Sequence, residues 1–121
     1  MNTELSTTGT EAVVHAHLQA FLKQRGIAAI VNDYDESARF HTEAAVYEGK
    51  KEIGGFFAEF LAALPEGAID RFSLRTLRVD ENIAFITWSV GSEIPLGTDT
   101  FVVEDGKIIS QTYAMYAVPA Q

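Results

Sequence analysis

Two segments of the chain place apolar residues at the spacing of an amphipathic α-helix. The first covers residues 10–24, and a short second helix is predicted directly after it, over residues 27–34. The other segment has a wider apolar face and ends at Pro65. The apolar faces consist of Val14, Leu18, Phe21 and Leu22 in the first segment, and of Ile53, Phe56, Phe57, Phe60, Leu61 and Leu64 in the other. These patterns predict three helices before Pro65.

From residue 69 onward the apolar period changes to two, which is typical of β-strands. Phe72 and Leu74 alternate with polar residues, but the parity changes at Leu77, which indicates a β-bulge near Thr76. Such a bulge bends the strand that contains it.

Further strands are predicted on both sides of the long helix. Pro95 and Gly97 are expected to interrupt the sheet between two of them. The stretches are residues 38–43, 45–47, 83–93, 98–103 and 107–118. Helices followed by a run of strands predict one α+β domain with an antiparallel sheet, because alternating helices and strands would be needed for a parallel one.

The last turn of the chain decides which side chains share a face of the final hairpin. A two-residue loop would pair Asp99 with Thr112, whereas a three-residue loop with a bulge would pair Asp99 with Gln111. The second register is preferred, because it groups Gln111, Tyr113 and Met115 on the Asp99 face. The opposite face is also half apolar, so we expect helices on one side of the sheet and a second subunit on the other.

Composition and charge narrow the class of protein. A chain of 121 residues with 47% hydrophobic residues fits a single globular domain, and the absence of cysteine excludes disulfides and thiol nucleophiles. Nine basic against seventeen acidic residues give a net charge of −8, which argues against a nucleic acid or an anionic membrane as partner. With neither an apolar span nor a secretory-signal pattern, a cytoplasmic location is expected.

Asp99 is the polar residue that most needs an explanation. It lies near Leu96 and Phe101 on the face expected to be enclosed, where a carboxyl group must be either protonated or paired. On the first helix, His17 lies about 60° from the centre of the apolar stripe, whereas His15 lies about 100° away. Asp99 and His17 are therefore the candidate catalytic residues, with His17 as base or donor. The alternatives are a structural acid and a histidine bonded to backbone or water.

Metal and phosphate motifs are incomplete in this sequence. His15 and His17 would point about 200° apart on a helix, which suits no metal clamp. Asp33-x-Asp35-x-Ser37 begins like a calcium loop but lacks its later glycine and glutamate. Gly49-Lys50-Lys51 lacks the remainder of a phosphate-binding loop. We therefore expect neither a metal nor a cofactor.

Five short stretches of the sequence, distributed over nearly the whole chain, have the order and spacing found in one protein superfamily. They are Val13-Val14-x-x-His17-Leu18, Ala38-Arg39-Phe40 through Tyr47-Glu48-Gly49, Glu52-Ile53-x-x-Phe56-Phe57, Trp88-Ser89-Val90, and Asp99-Thr100-Phe101 through Asp105-Gly106-Lys107-Ile108. In these stretches the chain resembles the nuclear transport factor 2-like superfamily, and more narrowly its SnoaL-like and ketosteroid isomerase-like members.

The resemblance implies a cone-shaped fold, in which a strongly curved antiparallel sheet wraps a pocket closed by the N-terminal helices and one long helix. The domain would cover residues 10–119, after a flexible tail of residues 1–9. Many members of the superfamily form homodimers through the outer face of the sheet, so the same arrangement is expected here.

The resemblance also implies the residues of the site. Asp99 matches the acid that donates a hydrogen bond to the developing oxyanion in steroid isomerases. Two positions depart from that pattern: His17 replaces a tyrosine, and the general base position holds Thr42, which argues against steroid isomerisation. The substrate-binding residues would be Phe40, Thr42, Phe57, Trp88, Val90, Phe101, Tyr113 and Met115.

The implied function is a pocket for a small, largely apolar molecule that carries a carbonyl or hydroxyl group. It would support metal-free acid–base catalysis by an isomerase, cyclase, dehydratase or hydrolase. The alternative is a module for ligand binding without chemistry or for protein assembly. A cavity above about 300 Å³ that contains His17 and Asp99 would favour the site. A cavity filled by Trp88, Tyr113 and Met115 would favour the module.

Overall fold

Three α-helices lie on one face of a six-stranded sheet in the computed structural model, which describes residues 7–119. The helices are α1 (Thr7–Leu22), α2 (Ile27–Val31) and α3 (Gly49–Ala63), and a 3₁₀ turn (Ile69–Arg71) follows α3. Helix α1 begins at Thr7, so residues 7–9 of the predicted tail are helical, while residues 1–6 lie outside the described part. Helix α2 is shorter than predicted, because Tyr34 already begins the first strand.

The sheet has the order β2-β1-β6-β5-β4-β3. Its strands are β1 (Tyr34–His41), β2 (Val46–Glu48), β3 (Phe72–Asp80), β4 (Ile83–Val90), β5 (Ile94–Glu104) and β6 (Lys107–Tyr116). Neighbouring strands are antiparallel except β1 and β6, which are parallel. The α+β prediction is confirmed, but the sheet is mixed rather than purely antiparallel, because the last strand inserts between β1 and β5.

Strand β5 runs without interruption through the two residues that were expected to break it. Gly97 lies opposite Trp88, and a Cβ atom at Gly97 would overlap the indole ring. Pro95 lies where the pairing of β4 with β5 shifts register, so its missing N–H is tolerated. The glycine therefore marks a close approach of a large side chain and not the end of a strand.

The final hairpin differs from both predicted registers. Its loop has two residues, Asp105 and Gly106, with φ values of 51° and 77° that suit a type I′ turn. A bulge farther along then adds one residue, so that Asp99 pairs with Tyr113. Because this register differs by two residues from the preferred one, Gln111 and Tyr113 still share the face of Asp99.

The predicted bulge in β3 is confirmed, because the pairing with β4 shifts register between Leu74 and Thr76. Helices α1 and α3 pack on the concave face of the sheet, where Val14 and Ile53 are fully buried. At Gly54, a Cβ atom would lie 3.2 Å from the Ile27 side chain, so this glycine lets α2 approach α3 closely. The helices do not fill the concavity completely, and a cavity remains between them and the sheet.

Candidate functional site

A cavity of about 60 Å³ lies between α1, α3, the segment 68–72 and the inner face of the sheet. Among the described residues, nine Phe, Trp and Tyr side chains line it, and its polar exceptions are Asp99, Gln111 and His17. The cavity contains both candidate catalytic residues, but it is smaller than the roughly 300 Å³ typical of ligand pockets. A volume of this size holds a molecule or group of about four or five non-hydrogen atoms.

Most of the residues predicted to bind substrate line this cavity. They are Phe40, Phe57, Trp88, Val90, Phe101 and Tyr113. Thr42 does not, because β1 already ends at His41 and the Thr42 hydroxyl bonds to the backbone of the following turn. Met115 pairs with Gly97 and packs against the core at a place the cavity does not reach.

Several residues of the cavity wall were not predicted from the sequence. Phe56, Phe60 and Leu64 extend the apolar stripe of α3 into the cavity, and Leu18 and Phe21 do the same from α1. The helical spacing of these residues was visible in the sequence, but it marks core and pocket walls alike. Ala68, Ile69, Phe72, Ile86 and Gln111 complete the set of lining residues that were missed.

Asp99 lies at the centre of a hydrogen-bond network on the inner face of the sheet. Its side chain is 8% exposed. The indole Nε1 of Trp88 donates to Oδ1 at 2.8 Å, and the amide Nε2 of Gln111 donates to Oδ2 at 2.8 Å. The Tyr34 hydroxyl donates to Oε1 of Gln111. This last bond orients the amide so that its N–H groups face the carboxyl group.

Burial raises the pKa of Asp99 to about 7, although the hydrogen bonds from Trp88 and Gln111 act in the opposite direction. Within residues 7–119, no lysine or arginine lines the cavity to provide a counter-charge. Near neutral pH the group therefore exists in both its protonated and its ionised form, which suits a proton donor or acceptor.

His17 lines the cavity but has other partners than Asp99. Its ring packs edge-on against Tyr34, Phe57 and Phe101, with centroid distances of 5.4, 5.9 and 5.7 Å. One ring nitrogen bonds to the backbone of Ile30, and Nδ1 lies 3.8 Å from Oδ2 of Asp33.

Burial lowers the pKa of His17 to about 4, so its ring is neutral at physiological pH. Within the described part of the chain, the buried Nδ1 has no hydrogen-bond partner of normal length and geometry. The predicted hydrogen-bonded pair of His17 and Asp99 does not form. The ring interacts with Ile30 and Asp33 instead, because α2 and the start of β1 pack on this part of α1.

Tyr113 forms part of the wall beside the carboxyl group. Its ring stacks on Trp88 at a centroid distance of 6.5 Å and an interplanar angle of 6°. Burial, together with the negative charges of Asp99 and Glu43, raises the pKa of its hydroxyl group. Tyr113 therefore stays neutral at physiological pH and can act only as a hydrogen-bonding group.

A shallower depression of about 310 Å³ adjoins the cavity on the outside. The two share the side chains Phe21, Leu64, Ala68 and Ile69, which form the wall between them. The acidic residue Asp70 lies at the rim of the depression. The depression lies beside the C-terminal ends of α1 and α3.

The sequence pattern of residues 10–111 matches the family model of the SnoaL-like domain. The chain belongs to this family. No curated protein matches it. The matched range extends from α1 into β6.

Solved structures agree with the fold of this SnoaL-like domain. An NTF2-like protein from Burkholderia xenovorans is 16% identical with a TM-score of 0.74, covering 94% of this chain and 88% of that one. A candidate polyketide cyclase from Sinorhizobium meliloti is 17% identical with a TM-score of 0.69, covering 85% and 94%. A de novo designed protein with a curved β-sheet is 20% identical with a TM-score of 0.75, covering 92% and 88%. At such identities the likeness concerns the fold.

Two further features of the SnoaL-like domain concern metals and membranes. Among residues 7–119, no group of three histidine, aspartate or glutamate side chains is arranged to hold a metal ion. In the same range, no helix is long and apolar enough to cross a membrane.

Proposed function

We propose that this SnoaL-like domain binds a small, largely apolar molecule in its aromatic cavity and that Asp99 exchanges a proton with it. The observation that carries the proposal is the buried Asp99 carboxyl group in the cavity wall, held by Trp88 and Gln111. A carboxyl group with a pKa near the working pH can both accept and donate a proton.

The surroundings of Asp99 suit this role. Its two donors fix the orientation of the carboxyl group, and the aromatic wall limits the access of water to it. Each carboxylate oxygen keeps a lone pair for the ligand after accepting its protein hydrogen bond. The reactions that need one such group and no metal include isomerisation, cyclisation and dehydration. One structural relative is a candidate polyketide cyclase, which is compatible with this range.

His17 is not part of the proposed proton transfer. Its ring interacts with the backbone of Ile30, and its Nδ1 lies 3.8 Å from Oδ2 of Asp33. The role proposed for it is to hold α1 against α2 and β1, so that the aromatic wall keeps its shape.

The proposal is tested with acetone, which is small enough for the cavity. The exchange of its α-protons with solvent deuterium is followed by NMR in the presence of the wild-type protein, Asp99→Asn and Glu59→Gln. Glu59 is an exposed residue of α3. Glu59→Gln therefore replaces an acid by its amide, as Asp99→Asn does, but at a site away from the cavity. Acceleration by the wild type and by Glu59→Gln, but not by Asp99→Asn, supports the proposal.

Two other results are informative. If acetone changes the Trp88 fluorescence but its protons do not exchange faster, the cavity binds ligands without chemistry. If neither effect is seen, and mass spectrometry of the purified protein detects no bound small molecule, the proposed function is wrong.

The second candidate function is assembly through the outer face of the sheet. This face presents exposed apolar side chains from adjacent strands: Ile83 and Phe85 of β4, which are 48% and 38% exposed, and the paired residues Leu96 and Tyr116, which are 50% and 58% exposed. Large exposed apolar side chains at several positions of one sheet face are typical of an interaction surface. A second copy of the chain would cover it, as homodimerisation requires.

Sedimentation equilibrium of the wild-type protein and of Phe85→Glu tests the homodimer. Its expected result is a dimer for the wild type and a folded monomer for the variant, with Glu59→Gln behaving as the wild type. A wild-type monomer at micromolar concentration would refute this second proposal. A cytoplasmic location stays a prediction.

A further inference from the structure

The charge of the cavity is not balanced by the chain itself. Both hydrogen-bond partners that the structure gives to the Asp99 carboxyl group are N–H donors, which stabilise its ionised form. Gln111 cannot easily offer its oxygen instead, because that atom accepts the Tyr34 hydroxyl proton. Within the described residues, the cavity wall contains no lysine or arginine. The chain therefore supplies no counter-charge to an ionised Asp99 in this wall, and a cationic ligand would supply one.

The remaining wall is also suited to a cation. Aromatic rings carry partial negative charge on their faces and therefore attract alkylammonium groups. Trp88 bonds to Asp99 through the N–H group at its ring edge and stacks on both Phe72 and Tyr113, so it holds these two rings beside the carboxyl group. Phe40 and Phe101 face the same space. Carboxylate and ring faces together form an aromatic cage with one acidic wall.

The negative charges outside the cavity also favour a cationic ligand. The chain has a net charge of −8, which raises the local concentration of cations around it. The acidic residue Asp70 lies at the rim of the outer depression that adjoins the cavity. These negative charges repel an anionic ligand, and they do not attract a neutral one.

We propose that the ligand of this cavity is a small organic ammonium ion, whose N–H group donates to Asp99 and whose alkyl groups contact the faces of the surrounding rings. The inference rests on the proposed function, since it names the chemical class that the same cavity takes. The cavity volume of about 60 Å³ restricts the bound group to a compact head such as a branched alkylammonium.

The experiment compares tert-butylamine with tert-butanol, two probes of nearly the same shape of which only the amine is charged. Binding is followed at the indole N–H signal of Trp88 by NMR, because Trp88 is the only tryptophan of the chain and bonds directly to Asp99. The amine is expected to bind at pH 8 about tenfold or more tightly than the alcohol. In Asp99→Asn, the preference for the amine should disappear, whereas Glu59→Gln should keep it.

The pH dependence of wild-type binding is a second measurement that needs no variant. An alkylamine resembles a lysine side chain, with a pKa of about 10.4, and stays protonated throughout. Since the pKa of Asp99 is about 7, the amine affinity should fall about tenfold from pH 8 to pH 6, while the alcohol affinity stays constant. His17, Tyr34 and Tyr113, which surround the carboxyl group, have pKa values outside this range and do not contribute.

The outcomes separate this inference from the proposed function. If the alcohol binds as tightly as the amine at pH 8, the ammonium proposal is overturned, while a ligand pocket remains. If neither probe shifts the Trp88 signal, both are overturned. If Asp99→Asn loses its cooperative thermal unfolding, the pH dependence of the wild type decides, and a flat profile for the amine overturns the inference.

Discussion

The free energy of unfolding should change with pH in a way that isolates Asp99. In the unfolded chain its pKa is 3.8, and burial raises it to about 7 in the folded protein. Between these values the folded state binds the proton and the unfolded state does not, so stability falls as the pH rises. A difference of about three pKa units corresponds to about 4 kcal/mol, which is the contribution of Asp99 alone that is lost between pH 4 and pH 8.

His17 contributes the opposite slope in part of this range. Its pKa is lowered from 6.5 to about 4 on folding, so its contribution is fully present above pH 6.5 and is lost as the pH falls to 4. The loss amounts to about 3 kcal/mol. Between pH 4 and 6.5 the effects of His17 and Asp99 nearly cancel in the wild type. Asp99→Asn removes one of them, so this variant should become steadily more stable from pH 4 to 6.5.

The free energy of unfolding is measured at each pH by urea unfolding, with Trp88 fluorescence as the signal. The stability of Asp99→Asn relative to the wild type should rise by about 4 kcal/mol from pH 4 to pH 8. Glu59→Gln, the exposed control, should show a difference of a few tenths at every pH. The Trp88 indole N–H signal should titrate with a midpoint near pH 7 in the wild type and in Glu59→Gln, but not in Asp99→Asn. A relative stability of Asp99→Asn that is independent of pH would refute the reasoning.

The other predictions concern the supports of the site. Tyr34→Phe leaves the buried Oε1 of Gln111 without its donor, so urea unfolding should show a loss of about 1–3 kcal/mol, and a smaller change would mean that water replaces the hydroxyl group. Gly97→Ala forces a methyl group into the Trp88 ring and should lower the melting temperature and shift the fluorescence maximum, at a cost of about 1–3 kcal/mol. Gly55→Ala, which faces open space in α3, should raise stability by about 0.5–1 kcal/mol. Equal melting temperatures for the two alanine variants would contradict the assigned packing.

Local patterns along the chain were sufficient for much of the fold and for one member of the site. The spacing of apolar residues predicted the helices, because one face of each had to be buried. The change of parity at Leu77 predicted the bulge in β3, because side chains alternate strictly between the two faces of a strand. The same alternation placed Asp99 on the inner face, where desolvation makes a carboxyl group exceptional.

What only the tertiary structure decided depends on contacts between residues far apart in the chain. The parallel pairing of β1 with β6 has no local signal, since it joins strands separated by most of the domain. Helical spacing turned His17 inward, but the packing of α2 on α1 gave it Ile30 and Asp33 as partners instead of Asp99. The donors to Asp99 were likewise set by the register of three strands, which a single bulge shifts by a residue.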